Sequence, residues 1–117
     1  MYTGVISNAV KETAKHQLIK AIHARRKLRI RFFSREIGAY VTRTCAPMDY
    51  GPSRTAQDFR NKLHVWDYES EAHLLALDQS HVEDLHVLEE TFDPAEFVTW
   101  DTKASPWLVK RDWGALS

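Results

Sequence analysis

A chain of 117 residues with a single cysteine, Cys45, makes one domain the natural count and rules out an internal disulfide. Its composition, 44% hydrophobic and 27% charged, is that of a soluble globular protein. No apolar run reaches the roughly 20 residues that span a bilayer, and no signal-peptide pattern opens the chain, so a reducing cytoplasm is the expected setting. The formal net charge of zero hides a split: residues 1–60 hold twelve Lys/Arg against four Asp/Glu, and residues 61–117 hold four against twelve. Either a basic face meets an anionic partner, or the two halves attract each other.

Met1 to Ser7 has no strong pattern and is expected to be loose or an added strand. Ser7 or Asn8 can cap a helix running to about Arg26. Val10, Ala14, Leu18, Ala21 and Ile22 form its apolar stripe, with Lys11, Glu12, Lys15 and Lys20 opposite. Leu28 to Ser34 alternates, with Leu28, Ile30 and Phe32 on one side and Arg29, Arg31 and Phe33 on the other, which predicts a half-buried strand. Gly38 marks a turn, and Tyr40 to Ala46 is rich in strand-forming residues. Pro47 has no amide hydrogen, so the ladder must end or bulge there. Met48 to Tyr50 continues briefly, and residues 51–61 read as a long loop.

Leu63 and Val65 alternate with His64 and Trp66, and the pattern resumes from His73 to Leu77 after the polar link Glu69-Ser70-Glu71. That predicts a hairpin. Ser80, three residues before Glu83, has the spacing of a capping box. A helical turn at Ser80–Asp84 would then lead into a last strand from Leu85 to Thr91. Pro94 opens a further turn at Asp93–Phe97. Residues 98–117 hold Trp100, Trp107 and Trp113, too many for an unattached tail, and are expected to dock on the domain, on a second copy or on a partner. The fold class is therefore mainly β (α+β). A helix precedes a five-stranded antiparallel SH3/Sm-like barrel in residues 1–97, and a Trp-rich extension follows in 98–117.

Four segments resemble the WYL domain, an Sm-like barrel of bacterial transcriptional regulators. AIHARRKLRIRFFS is similar to the family's first helix and strand, and RTCAP, with Arg43 and Pro47, to its R-x-V-x-P strand. LALDQSHVEDLHVL resembles F-x-L-D-R-I-x-x-L-x-V-L, and ETFDPAEF resembles the closing ETF-x-P-x-x-F. The Trp-Tyr-Leu triplet itself falls near Leu63-His64-Val65, and Gln79 stands where the family has Arg. The resemblance implies a regulatory domain whose groove binds an anionic, nucleic-acid-like effector beside a DNA-binding module. The roughly twenty residues before Ile22 cannot form that module, so the chain is expected to be an isolated WYL-like domain, a piece of a longer regulator or a small stand-alone protein, a separate DNA-binding module being one option.

Arg25, Arg26, Lys27, Arg29, Arg31 and Arg35 place six cations in eleven residues, with Phe32 and Phe33 among them. Basic residues with aromatics are the footprint of phosphate contacts and base stacking; the plainer reading is a solvated helix end and a strand face paired to the acidic half. His64, Trp66 and Tyr68 share a strand face near His73 and can supply stacking and hydrogen bonds. A metal at His64 and His73 would need Asp67, which alternation sends to the opposite face. Cys45, in mid-strand, reads as a small buried hydrophobe. Asp78, Ser80 and His81 are too close in sequence to form a triad. No enzyme, cofactor or metal site is expected. The expected binding residues are Arg25, Arg26, Lys27, Arg29, Arg31, Phe33, Arg43, His64, Trp66, Tyr68 and Gln79, for a nucleic acid or nucleotide-like ligand, in a homo-oligomer such as a dimer and away from membranes. The alternative is an oligomerisation or protein-interaction module with no such ligand.

Overall fold

The computed structural model describes residues 3–53, 58–71 and 73–117, with side chains described from residue 13 onward. Met1, residues 54–57 of the expected loop, and the side chains of Val10, Lys11 and Glu12 lie outside the described residues. Helix α1 (Thr3–Ala24) starts before the expected caps Ser7 and Asn8. Each added helical residue gains one hydrogen bond, so a chain already helical at Asn8 extends backward through residues of modest propensity. Ala14, Leu18, Ala21 and Ile22 are buried, the last three completely, and each large aliphatic side chain so covered contributes roughly 1.5–3 kcal/mol. The helix ends at Arg25, whose φ of 55° is the left-handed conformation of a C-terminal cap.

Five antiparallel strands follow: β1 (Arg26–Ser34), β2 (Ala39–Pro52), β3 (Asn61–Asp67), β4 (Leu74–Asp78) and β5 (Val82–Thr91), in the order β4-β3-β2-β1-β5. Leu28, Ile30 and Phe32 are buried while Arg29 and Arg31 are exposed, as the alternation predicts. Strand β2 does double service. Its first half pairs with β1 and its second half with β3, and Cys45 belongs to both ladders, opposite Leu28 and Asp67. A bulge falls at Met48, between the pairs Pro47–Val65 and Asp49–His64, next to the proline that cannot donate.

The connection from β4 to β5 shows how far the sheet curls. In a flat sheet of this order the edge strands would lie about 19 Å apart, four strand spacings. Asp78 and Val82 are four residues apart and span at most ~14 Å. The sheet must therefore bend its edges toward each other, as a small barrel does.

That connection differs from the expected one. The turn is a 3-10 turn at Gln79–His81 and its cap is Asp78, whose carboxylate accepts from the Ser80 amide at 2.9 Å and the Ser80 hydroxyl at 2.8 Å. Ser80 is thus a capped residue rather than the cap, and β5 begins at Val82 instead of Leu85. Asp is as good a cap as Ser, and Val82 is buried in the core, which pulls its segment into the sheet. At Pro94–Glu96 the turn has a full capping box between Asp93 and Glu96, with Pro94 at its start.

The tail packs against the bulge and the end of α1. Trp113 is only 3% exposed and its indole N–H donates to Ile22 O at 2.9 Å, satisfying a helix-end carbonyl. Phe92, Phe97, Trp107 and Trp113 form a chain of ring contacts 5.4–6.2 Å apart, geometry that adds to the area they bury. No helix among the described residues is long and apolar enough to cross a membrane.

Candidate functional site

Lys27, Arg29 and Arg31 alternate along β1, and the acidic second half meets two of them. Lys27 Nζ lies 2.5 Å from Glu90 and over the Tyr68 ring at 4.5 Å. Arg31 pairs with Glu83 at 2.8 Å and stands 5.3 Å from the Tyr40 ring. Arg25 donates to Asp112 O at 3.0 Å and Arg26 to Leu88 O at 2.6 Å. Arg29 is exposed, has no partner among the described residues, and sits opposite His86 of β5, where side chains on one face are within reach.

The remaining expected residues lie elsewhere. Half-buried Arg43 donates to Glu69 O at 3.4 Å, tying β2 to the β3–β4 turn. Phe33 packs edge-on against Tyr40 at 5.6 Å and contacts His81 at 6.1 Å. Trp66 stacks on His73 at 4.5 Å and on Phe97 at 5.7 Å, so its ring is already engaged inside the fold. His64 Nε2 is 2.9 Å from Gly51 O, and since a carbonyl can only accept, that nitrogen carries the hydrogen. Gln79 donates to the Tyr50 hydroxyl. Strand β2 separates the basic strand β1 from His64 and Trp66 on β3, so the eleven residues are not one constellation.

Burial, reinforced by the charges of Glu96 and Glu90, pushes the Tyr68 phenol up to about 12. Its hydroxyl is buried without a hydrogen-bond partner among the described residues. Cys45 is fully buried and free; desolvation, with Asp67 and Glu69 adding to it, pushes its thiol far up, so it stays protonated and inert. The described residues contain no group of three His, Cys, Asp or Glu placed to hold a metal.

What does gather is a groove of about 720 Å³ between α1 and β5, lined by Thr13, His16, Gln17, Lys20, Arg26 and His86. No carboxylate lines it among the described residues, although Asp84 holds His86 Nε2 from the side at 2.9 Å. Thr13, His16, Gln17 and Lys20 come from one face of the helix, as spacings of three and four dictate. Arg26 spends its Nε on Leu88 O, leaving its terminal nitrogens for other acceptors. Of these residues only Arg26 was expected. The signal for the others was the polar stripe at 13, 16, 17 and 20, which gains meaning once β5 lies beside it.

No family model matches the sequence, and no curated protein matches it. Among solved structures the chain is similar to proteasome accessory factor B/C (PafBC) of Arthrobacter aurescens, with a TM-score of 0.61 and 20% identity. The match covers 78% of this chain and 13% of that one. The likeness is one of fold, and it supports a WYL-like fold for this chain.

Proposed function

We propose that this chain is a non-enzymatic, WYL-like domain of a bacterial or phage regulatory system that binds a nucleic acid or nucleotide-like anion in the α1–β5 groove. One observation carries the reading: Lys20, Arg26, His16 and His86 converge on a cleft whose described lining has no carboxylate. Such a lining favours phosphate oxygens through charge and directed hydrogen bonds. Arg29, unpaired among the described residues and opposite His86, extends the cationic track onto β1. The fold likeness to PafBC, a WYL-domain-containing regulator, supports the regulatory role by analogy of fold. Lys27 and Arg31 are already paired with Glu90 and Glu83, so the proposed contacts centre on Lys20, Arg26 and Arg29. A DNA-binding module would be supplied by a separate segment or chain.

Charge reversal at exposed positions tests this. Lys20→Glu with Arg29→Glu should weaken a labelled single-stranded oligonucleotide at least about tenfold through lost phosphate contacts, whereas Lys103→Glu in the tail should not. Equal binding by all three proteins would overturn the proposal. The interaction-module reading retains one observation in its favour. Edge strand β4 carries Leu74, 64% exposed, and a free edge can pair with another chain.

A further inference from the structure

Between β4 and the tryptophan tail lies a second cavity of a different character. It measures about 460 Å³ and is walled by Leu74, Leu75, Ala76, Trp100, Trp107 and Leu108, with His64 and Asp49 among its polar residues. That volume is in the range of small-molecule pockets, which are mostly apolar with a few placed polar groups.

The polar groups narrow the ligand's chemistry. The Asp49 carboxylate already accepts from the Leu108 and Val109 amides, each at 2.9 Å, and from Arg111 at 3.3 Å, so it offers no free charge to a cation. No Lys or Arg lines the cavity among the described residues, so an anion would meet no described cation to offset its lost hydration. The indole N–H groups of Trp100 and Trp107 are spent on Ser105 O and Leu116 O. His64 Nε2 is committed to Gly51 O, which leaves Nδ1 as the ring nitrogen without that bond. The Ser53 and Ser105 hydroxyls also line the cavity, so its described walls offer apolar and aromatic surface with a few hydrogen-bonding groups, His64 among them.

We propose that this cavity is a ligand site separate from the α1–β5 groove, taking an uncharged, planar aromatic small molecule that donates one hydrogen bond to His64. Three of the named walls, Trp100, Trp107 and Leu108, belong to the tail held by Asp49 and Arg111, so the site exists only while the tail is docked.

N-phenyl-1-naphthylamine, an uncharged aromatic amine with one N–H, is the probe, and 8-anilinonaphthalene-1-sulfonate is its counterpart with an added sulfonate. The full chain should enhance and blue-shift the amine's fluorescence and bind the sulfonate at least about tenfold more weakly. Ala76→Trp, which fills the cavity from an exposed position, should abolish amine binding with oligonucleotide binding intact. Leu74→Arg on the exposed edge should do the same, which guards against misfolding of the first variant. His64→Phe should weaken the amine several-fold. Amine binding unaffected by Ala76→Trp and Leu74→Arg, or the sulfonate bound as tightly as the amine, would overturn the inference. Because the oligonucleotide is read in the same proteins, failure here is distinguishable from failure of the anion groove.

Discussion

Arg111, its side chain fully buried, places a guanidinium nitrogen 3.3 Å from Asp49 Oδ1, joining residues 62 apart in sequence. The guanidinium also lies 4.0 Å from the Trp107 ring centre and 4.5 Å from that of Trp113, and it donates to Met48 O and Val109 O. The origin is Pro47. Its missing amide forces the bulge at Met48, the bulge frees the Met48 carbonyl and turns Asp49 toward the tail, and Arg111 meets both.

Removing one partner of such a buried pair leaves the other uncompensated, which typically costs 3–5 kcal/mol. Arg111→Ala should therefore lower the urea midpoint substantially, and it should release residues 98–117 to hydrogen exchange before the sheet. The double variant with Asp49→Ala should cost less than the sum of the two single changes, because they break one interaction. Additive losses, or a tail that stays protected in Arg111→Ala, would contradict the clamp.

Gly51 holds the other side of the same contact. Its φ is +147°, and a Cβ there would run into Leu108 Cδ1. Gly51→Ala should thus destabilise through backbone strain and through displacement of Leu108, by about 1–3 kcal/mol. The loss should shrink when combined with Leu108→Ala, which removes the collision but not the strain. Thermal melts of the three proteins settle the sign.

Tyr68 predicts an alkaline limit. Its folded-state pKa is raised to about 12 by burial and by Glu96 and Glu90, so the fold holds the phenolic proton more tightly than the unfolded chain does. The stabilisation is complete below the ordinary tyrosine value near 10 and is lost as pH rises through about 12. In an ultraviolet titration of the native protein, Tyr68→Phe should remove a tyrosine ionisation near pH 12. It should also flatten the fall of stability over that window. Since the hydroxyl is buried without a partner among the described residues, the same change should leave neutral-pH stability equal or slightly higher. A marked loss at neutral pH would show that the hydroxyl has an essential partner.

Local rules reach much of this fold. The alternation of Leu28, Ile30 and Phe32, the helical stripe of Ala14, Leu18, Ala21 and Ile22, the bulge at Pro47 and the capped turn at Pro94 each depend on residues a few positions apart. The misplaced cap is also local: Asp78 and Ser80 are both good caps, and the choice falls to Asp78 because burying Val82 starts β5 early. The site was harder to read because its geometry is long-range. Nothing near Lys27 announces Glu90, and nothing near Asp49 announces Arg111. The cluster from Arg25 to Arg35 reads in sequence either as one basic surface or as a face paired to the acidic half, and ion pairs with β5 take up two of its cations. The groove lined by His16, Lys20 and His86 appears only when α1 and β5 are placed side by side.

The central claim is phosphate binding in that groove, and its most direct measurement is the affinity for a single-stranded oligonucleotide across a series of salt concentrations. Three cations, Lys20, Arg26 and Arg29, acting on phosphates predict a log–log slope of about −2 at roughly 0.7 per contact. The magnitude of the slope should fall by roughly 0.7 in Arg29→Glu if each cation acts separately. A slope near zero, or no binding at the lowest salt, would contradict the account.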